Sequence, residues 1–386
     1  MARGGNSVSP RKYSDHRRAS NYFELGAAMR GKKMNDPELT TTMRELLKKL
    51  SENRKLSRDE AAHAMSLMLQ DVCTPEEIAG FLMGLRSRKE STDELVGLTE
   101  AMRDQCIPVA LNDPAAIDIV GTGGDGTGTF NISTAAAFVC AGAGATVAKH
   151  GNRSVSSRCG SSDVLEALGV STGLCAPEIE RCLEECGLAF MYAPLFHTAL
   201  RHVMPVRRAL GVRTCFNILG PLCNPAGVQR HFIGSFSEDM AETMANILHT
   251  LGSTHIVVVH SRDGMDEIST SAPTIMFSKL PGMDRIERKT ITPEEFDIPR
   301  IDMEAIRGGD ADVNADIIRA VLRGESGPAR DIVALNAAGA LYACGREKSM
   351  EAGLEAATRA IDDGSAAASL SQLVDFQKSG GNRIDV

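Results

Sequence analysis

Two neighbouring segments of this sequence are rich in small, hydroxyl-bearing and basic residues that could bind phosphate. The first is the run GTGGDGTGT at 121–129, which leads through Asn131 and Ser133 into an alanine-rich stretch. The second is KHGNRSVSS at 149–157. Small residues let backbone N–H groups approach an anion, and a helix beginning near Asn131 would add unpaired donors and the positive end of its dipole. The two segments together predict a ligand that carries phosphate at two separated points.

The glycine-rich segment also has competing interpretations. Gly121, Gly123 and Gly126 satisfy G-x-G-x-x-G, the dinucleotide fingerprint. A nicotinamide site requires a carboxylate about 20 residues further on to hold the ribose hydroxyls, and this sequence places Lys149 and Arg153 there. A Walker A loop is excluded because no Gly-Lys-Ser/Thr closes the run. A purely structural glycine turn stays open as the alternative.

Two adjacent carboxylates, Asp266 and Glu267, could bind a metal ion. They follow an apolar segment at 256–260 that is typical of a strand, and Gly264 permits a tight turn ahead of them. Their hard oxygen atoms suit Mg²⁺, which commonly binds one or two carboxylates plus substrate phosphate, and the Ser133 hydroxyl could supply a further ligand. The alternative is an ordinary acidic turn. In either case we expect an exposed loop whose substitution barely changes stability.

Histidines and an arginine lie on an apparent helix at 196–210, which we expect to be broken or kinked near Pro205. They are His197, His202 and Arg207. A lone histidine is more often structural than catalytic, and both interpretations stay open for these two.

Alternating segments predict the scaffold that positions these loops. Strands are predicted at 117–120, 146–148, 188–192, 231–236 and 256–260. Helices are predicted from about 131 and near 176–186, 237–250, 312–323 and 328–343. Such alternation is typical of an α/β fold with a largely parallel central sheet, whose ligands bind at the carboxyl ends of the strands. The glycine-rich, basic and acidic loops all follow predicted strands.

A helical pattern precedes this α/β part. Its three capping boxes are Ser57 with Glu60, Thr74 with Glu77, and Ser91 with Glu94. Apolar residues at 78, 81, 82 and 85 follow the stripe of an amphipathic helix. We therefore predict a helical domain at 38–106, with part of 196–215 packing on it, a linker at 107–116, and an α/β domain at 117–386.

Charge is distributed unevenly along the chain. The net charge is −8, yet residues 1–33 hold eight Lys/Arg against two Asp/Glu, a net +6 that leaves −14 for the remainder. Such an acidic body is unsuited to nucleic acid. Residues 1–37 lack apolar periodicity and predict a disordered basic extension, and no signal-peptide core or membrane-length apolar run is visible. Ten cysteines without paired metal spacing predict a reduced, cytoplasmic protein.

Five motifs occur together in the order of one known family. They are GTGGD at 121–125, NIST at 131–134, KHGNRS at 149–154, FNILGPLCNP at 216–225 and DGMDE at 263–267. From about residue 38 to the C-terminus the sequence resembles the anthranilate phosphoribosyltransferase family of tryptophan biosynthesis. Cys159 stands where a serine is common in that family, and Cys223 where a threonine is common. Both exchanges replace one small residue by another and affect neither expected substrate.

The resemblance implies transfer of a phosphoribosyl group from phosphoribosyl pyrophosphate to anthranilate, by an enzyme that requires no side-chain nucleophile. Mg²⁺, as two ions per subunit, would bind Ser133, Asp266 and Glu267. Anthranilate would contact Gly121, Asn152 and Arg207, with His197 as a further candidate, and a planar guanidinium suits its carboxylate. Members of the family are usually homodimers that associate through the helical domain. The implied contacts of phosphoribosyl pyrophosphate are Gly121, Gly124, Asp125, Thr129, Asn131, Ile132, Ser133, Thr134, Lys149, His150, Gly151, Asn152, Arg153, Ser154, Val155, Ser156, Ser157 and Ser161.

Two other functions remain alternatives. Pyrimidine nucleoside phosphorylases resemble this family in fold, but the NRS and DE motifs at 152–154 and 266–267 are unlike theirs. A non-enzymatic relative that binds nucleic acid would have a basic cleft and would lack Arg207. Phosphate-dependent cleavage of thymidine would indicate the first alternative, and a shift of nucleic acid in a gel would indicate the second.

Overall fold

Residues 41–153 and 158–380 are described by the computed structural model. The predicted basic extension at 1–37 lies outside the described residues. All ten cysteines are free thiols. Among the described residues, no helix combines the length and the apolar character that crossing a bilayer requires.

Four helices open the compact unit that begins at Met43. The three predicted capping boxes are confirmed; in the first, Ser57 Oγ accepts from Glu60 N at 3.1 Å and Glu60 Oε2 accepts from Ser57 N at 3.0 Å. The apolar stripe at 78, 81, 82 and 85 is buried, as its spacing predicts. The helices are α1 (Met43–Ser51), α2 (Arg58–Leu69), α3 (Pro75–Arg88) and α4 (Thr92–Asp104).

A seven-stranded sheet follows, with strand order β3-β2-β1-β4-β5-β6-β7. Strands β1 to β5 are parallel to their neighbours, which confirms the predicted parallel sheet, whereas β6 and β7 add an antiparallel edge that the sequence analysis missed. The strands are β1 (Ile117–Gly121), β2 (Val147–Gly151), β3 (Leu188–Tyr192), β4 (Arg230–Gly234), β5 (His255–Ser261), β6 (Thr274–Lys279) and β7 (Glu287–Ile291).

Helices connect and cover these strands. They are α5 (Ile132–Gly142), α6 (Ser161–Ala167), α7 (Ala176–Cys186), α8 (Ala193–Phe196), α9 (Met204–Leu210), α10 (Phe216–Leu222), α11 (Glu238–Thr250), α12 (Ala311–Leu322), α13 (Pro328–Ala343), α14 (Met350–Asp362) and α15 (Ser365–Gly380). Short 3₁₀ turns lie at Thr198–His202, Pro293–Phe296 and Met303–Ile306. Helices α5, α7, α11, α12 and α13 were predicted from the sequence, whereas α6, α10, α14 and α15 were not.

Each face of the sheet has its own hydrophobic core. Successive side chains of a strand point to opposite faces, and on β5 this separates Val257 and Val259 from Ile256 and Val258. The first pair joins a core with α5, α13 and α15. The second pair joins a core with α1 to α4 and α11. The helical segment therefore packs on one face of the sheet and shares its core with it.

The helix expected at 196–210 is broken near Pro205, as predicted, but the part before the break is not one continuous helix. Instead, α8 ends at Phe196, a 3₁₀ turn occupies Thr198–His202, and α9 begins at Met204 with Pro205 in its first turn. Proline lacks a backbone N–H, and the first turn of a helix has no intrahelical acceptor for that group. Pro205 thus opens a new helix, and α9 packs against α3.

Lys89, just past the end of α3, has φ 64° and ψ 128°. Such a backbone conformation strains a residue with a side chain by about 1–3 kcal/mol but is freely adopted by glycine. After about 0.5–1 kcal/mol is subtracted for the greater freedom of glycine in the unfolded chain, we expect Lys89→Gly to raise the free energy of unfolding by roughly 1 kcal/mol. Urea titration measures this change.

Arg86→Gly is the matched control, because Arg86 is also exposed but lies inside α3. Glycine inside a helix should lower the free energy of unfolding by roughly 0.5–1 kcal/mol. Equal destabilisation by both substitutions would show that the Lys89 backbone is not strained.

Candidate active site

The predicted ligand-binding loops meet at the carboxyl ends of three adjacent strands. Strand β1 lies between β2 and β4. Strands β2 and β3 extend the sheet on one side of β1, and β4 to β7 extend it on the other. This arrangement is a topological switch point, where open α/β sheets form a crevice for ligands. The three strands end at Gly121, Gly151 and Gly234.

The glycine-rich loop has a backbone that few other residues could adopt. Gly123, Gly124, Gly126 and Gly128 have φ between 64° and 78°. Asp125 accepts hydrogen bonds from Thr127 N at 3.2 Å and from Thr127 Oγ1 at 2.6 Å, which closes the turn locally. The end of the loop is also anchored, because Thr129 forms an isolated β-bridge with Arg307.

The first turn of α5 follows this loop. The Asn131 side chain does not cap the helix; its Nδ2 donates to Cys159 O at 3.3 Å and its Oδ1 accepts from Asn314 Nδ2 at 2.9 Å. Ile132 and Thr134 are buried, with about 1% of each exposed. Ser133 N donates to Glu267 Oε1 at 3.1 Å. The start of this helix therefore already binds a carboxylate of the protein.

The acidic turn folds inward over the glycine-rich loop. Asp266 Oδ2 accepts from Gly123 N at 2.7 Å. A Cβ atom on Gly121 would lie 2.6 Å from Asp266 Oδ2, and one on Gly234 would lie 1.5 Å from the Asp266 carbonyl oxygen. Only glycine at those two positions permits so close an approach. The exposed turn expected from the sequence is wrong: Asp266 is 9% exposed and Glu267 7%.

Burial and repulsion between neighbouring carboxylates disfavour negative charge on Asp266 and Glu267. Burial, with Asp125 nearby, raises the pKa of Asp266 to about 7. Burial and the adjacent Asp266 raise the pKa of Glu267 well above its usual value. The described residues contain no group of three or more acidic, histidine or cysteine side chains that could hold a metal ion by themselves. The turn offers two carboxylates, the number that Mg²⁺ commonly uses together with phosphate oxygens.

Lys149 is buried. It is 2% exposed, and its Nζ donates to Ile119 O and lies 3.4 Å from Ser133 Oγ. Burial lowers the pKa of Lys149, while Asp118 and Glu267 oppose that shift. The ammonium group is thus close enough to the acidic turn to serve as its partial counter-charge.

A buried carboxylate that the sequence analysis missed supports the Lys149 segment. Asp118 accepts from His150 N at 3.0 Å and from Asn224 Nδ2 at 2.7 Å. Asn224 Nδ2 also donates to Ala148 O at 2.8 Å. Burial raises the pKa of Asp118 to about 6. The sequence feature that could have indicated this carboxylate is a single aspartate within the apolar run of β1.

The remainder of the basic segment turns toward α6. Arg153 Nη2 lies 2.7 Å from Glu166 Oε1, and its Nη1 lies 3.8 Å from Asp163 Oδ1. Asn152 Oδ1 accepts from Arg153 N at 2.8 Å, and Ser161 begins α6. Ser154, Val155, Ser156 and Ser157 lie outside the described residues. The Arg153 guanidinium, which was expected to contact phosphate, is therefore paired with carboxylates of α6.

Arg207 is half-buried, and none of the described carboxylates pairs with it. Its guanidinium lies 4.9 Å from the Phe216 ring centroid, and Nη1 donates to Met204 Sδ at 3.3 Å. Burial lowers its pKa. Among the described residues, no carboxylate lies within ion-pair distance of Arg207, and no hydrogen bond joins it to Gly121 or Asn152. An anionic ligand would supply the missing counter-charge.

Two histidines lie side by side near the end of β2. The ring centroids of His150 and His197 are 5.2 Å apart, and His197 Nε2 is 3.0 Å from Cys223 O. Burial lowers the pKa of His197 to about 4 and that of His150 well below its usual value, so both rings are neutral near pH 7. His202 lies apart from them and pairs with Asp71 at 2.8 Å.

Arg213 is a contact of the glycine-rich loop that no sequence pattern indicated. Its guanidinium lies 4.1 Å from the Phe236 ring centroid and donates to Gly124 O. In a planar trans peptide the C=O and the following N–H point in opposite directions. Because Arg213 binds the Gly124 carbonyl, the Asp125 N–H points away from Arg213.

Two family models match the two parts of this fold. The helical bundle domain of a glycosyl transferase family matches residues 44–106. The a/b domain of a glycosyl transferase family matches residues 113–367. These ranges correspond to α1 to α4 and to the sheet with its covering helices.

Curated relatives extend the match over nearly their whole length. The anthranilate phosphoribosyltransferase of Salinibacter ruber is 50% identical over 339 residues, which cover 87% of this chain and 98% of the relative. The enzyme of the same name from Thermomicrobium roseum is 50% identical over 330 residues, which cover 85% and 95%.

Solved structures agree in fold. The anthranilate phosphoribosyltransferase of Thermus thermophilus superposes with a TM-score of 0.82 at 40% identity, covering 86% of this chain and 99% of that one. The Saccharomyces cerevisiae enzyme, in complex with phosphoribosyl pyrophosphate and Mg, gives 0.80 at 27% identity, covering 88% and 98%. Because both parts of the fold and about half of the aligned residues are shared with such enzymes, the chain belongs to the anthranilate phosphoribosyltransferase family.

Proposed function

We propose that this chain transfers the phosphoribosyl group of phosphoribosyl pyrophosphate to the amine of anthranilate at the crevice between β1, β2 and β4. The observation that carries the proposal is the buried acidic turn bound directly to the glycine-rich loop. Asp266 binds Gly123 N, and Glu267 binds Ser133 N. Two carboxylates are thereby held where backbone N–H groups converge, which suits a ligand composed of phosphate and a divalent cation.

The reaction mainly requires control of charge. As the bond to pyrophosphate breaks, the leaving group gains negative charge and the sugar carbon becomes cationic, so the protein must stabilise one and align the amine with the other. The glycine-rich loop, the start of α5 and Lys149 supply positive electrostatic potential to the leaving group. No side chain of the cluster needs to act as a nucleophile.

Mg²⁺ fits the acidic turn chemically. Ser133, Asp266 and Glu267 would hold it through hard oxygen atoms, with phosphate oxygens completing its coordination. When bound, Mg²⁺ would supply positive charge beside the departing pyrophosphate. The raised pKa values of Asp266 and Glu267 support this assignment, because both carboxylates lack sufficient counter-charge from the protein.

Anthranilate would bind through its carboxylate to Arg207. The half-buried guanidinium without an ion-pair partner among the described residues supports this role, and a solved structure of the Saccharomyces cerevisiae enzyme is a complex with 4-fluoroanthranilate. Gly121 and Asn152 are the further proposed contacts. The neutral ring of His197 would present an uncharged surface to the aromatic substrate.

The oligomeric state, the number of ions and the location in the cell stay predictions. We propose a homodimer, two Mg²⁺ ions per subunit and a cytoplasmic protein, all from the resemblance to the family. Sedimentation equilibrium distinguishes a dimer from a monomer, and metal analysis of the substrate-bound protein counts the ions.

Loss of anthranilate fluorescence tests the proposed reaction. We expect the signal to fall only when protein, phosphoribosyl pyrophosphate, anthranilate and Mg²⁺ are all present. Stable fluorescence in the complete mixture, with the protein folded, would contradict the proposal. Thymidine with inorganic phosphate serves as the control, and its cleavage would indicate a nucleoside phosphorylase instead.

The double substitution Asp266→Asn with Glu267→Gln should abolish turnover at every Mg²⁺ concentration. It should also change how stability depends on pH. The pKa of Asp266 is raised in the folded protein from 3.8 to about 7, so the wild type loses stability as pH rises through that interval. The amide variant does not lose stability in this way, because its side chains remain neutral at every pH. In metal-free buffer, its melting temperature relative to wild type should therefore rise from pH 5 to pH 8. Wild-type turnover at limiting Mg²⁺ would exclude the metal site.

Gly124→Val should weaken phosphoribosyl pyrophosphate far more than anthranilate. Gly124 has φ +70°, which a β-branched residue resists, and the loop would lose its ligand-binding shape. Gly252→Val is the control, because Gly252 has φ +87° at the opposite end of the sheet, before β5. It should lower stability without changing either Michaelis constant. Equal weakening of both substrates by Gly124→Val would indicate a structural loop.

Arg207→Ala should weaken anthranilate roughly ten- to a hundred-fold, since a charge-assisted bidentate contact contributes about 1.5–3 kcal/mol. Phosphoribosyl pyrophosphate should bind almost unchanged. Arg207→Lys should recover only part of the loss, because it keeps the charge but not the planar fork. Kinetics with each substrate varied in turn measure both effects. An unchanged Michaelis constant for anthranilate, with activity intact, would remove Arg207 from the site.

A further inference from the structure

We infer that Asn336 is a positioning residue that holds the acidic turn in the shape required for metal binding. It lies within α13 and is completely buried. Its Oδ1 accepts from Ile268 N at 2.8 Å, and its Nδ2 donates to Ile268 O at 2.8 Å. Ile268 directly follows Glu267. A single side-chain amide thus binds both backbone polar groups of the residue next to the proposed metal ligands.

The orientation of this amide is determined by a third hydrogen bond. Nδ2 also donates to Ile332 O, one turn earlier in α13, at 2.9 Å. An amide has one acceptor oxygen and one donor nitrogen, so only this orientation satisfies Ile268 N, Ile268 O and Ile332 O together. Asn336 is therefore locked to its own helix while it binds the turn.

Close packing brings α13 to the turn at the same point. Gly339 lies one turn after Asn336 on the same face of the helix. A Cβ atom at Gly339 would lie 2.6 Å from Phe232 Cε2 and 2.8 Å from Ile268 Cδ1. The helix backbone thus packs closely against β4 and Ile268, which brings Asn336 within hydrogen-bond distance of Ile268.

The same helix also locates the other proposed metal ligand. Helix α13 packs against α5, whose first turn contains Ser133. Ser133 N in turn binds Glu267 Oε1 at 3.1 Å. Asn336 thus connects the carboxylates of the turn and the hydroxyl of α5 to one rigid element, and its loss would allow them to move apart.

A purely structural role for Asn336 makes a different prediction. If its amide only satisfies buried backbone groups, removing it lowers stability and affects both substrates and the metal alike. If it positions the turn, metal affinity falls selectively. Residues that orient metal ligands typically change metal affinity roughly ten- to a hundred-fold when mutated.

The test is Mn²⁺ binding, followed by the electron paramagnetic resonance signal of free Mn²⁺ in the presence of phosphoribosyl pyrophosphate. For Asn336→Ala we expect the half-saturating Mn²⁺ concentration to rise at least roughly tenfold, while the Michaelis constant for anthranilate stays within about twofold. Leu335→Ala is the matched control, since Leu335 is fully buried in the same helix. It should lower the melting temperature and leave Mn²⁺ binding unchanged.

Asn336→Asp provides a second variant of almost identical size. It keeps an acceptor for Ile268 N but loses the donor to Ile268 O, and we expect the same rise in half-saturating Mn²⁺. Unchanged Mn²⁺ binding in either folded variant, or failure of both to fold, would overturn the inference and leave Asn336 a stability residue.

The inference rests on the proposed metal site, and the two can fail separately. Mn²⁺ binding to wild type that is equalled by the Asp266→Asn, Glu267→Gln variant would reject the metal site itself. Mn²⁺ binding that depends on those carboxylates but not on Asn336 would reject only the positioning role.

Discussion

The contact between Asp266 and the glycine-rich loop is the constraint on which the site depends. A buried carboxylate is stable only when hydrogen-bonded or close to positive charge. Here Gly123 N supplies the hydrogen bond, Lys149 supplies nearby positive charge, and the absence of side chains at Gly121 and Gly234 provides the space. The formation of the loop and of the acidic turn is therefore coupled, although the two segments are more than 100 residues apart in the sequence.

Patterns with a local physical cause were predicted well. A capping box satisfies its own backbone donors within four residues, so Ser57 and Glu60 marked the start of α2 without reference to the rest of the chain. The apolar runs of the five parallel strands were equally clear. Strand β7 was missed because Glu287, Arg288 and Lys289 are exposed and polar, and such a segment is a strand only because β6 lies beside it.

Features of the site that depend on distant partners could not be predicted. The motifs predicted which loops come together but gave no sign that Asp266 and Glu267 are buried, because their burial arises from contact with β1, β4 and α5. It also gave no sign that Arg153 pairs with Glu166 or that Arg213 binds the Gly124 carbonyl. Asn336 follows an ordinary helical run, and its role emerges only where α13 meets Ile268.

The polar edge strand β7 has a consequence for assembly. An unpaired strand offers free N–H and C=O groups on which a neighbouring chain could continue the sheet, and charged side chains oppose such growth. Glu287, Arg288 and Lys289 place charged side chains of both signs along this border. This edge of the sheet is therefore protected against edge-to-edge aggregation in a crowded solution.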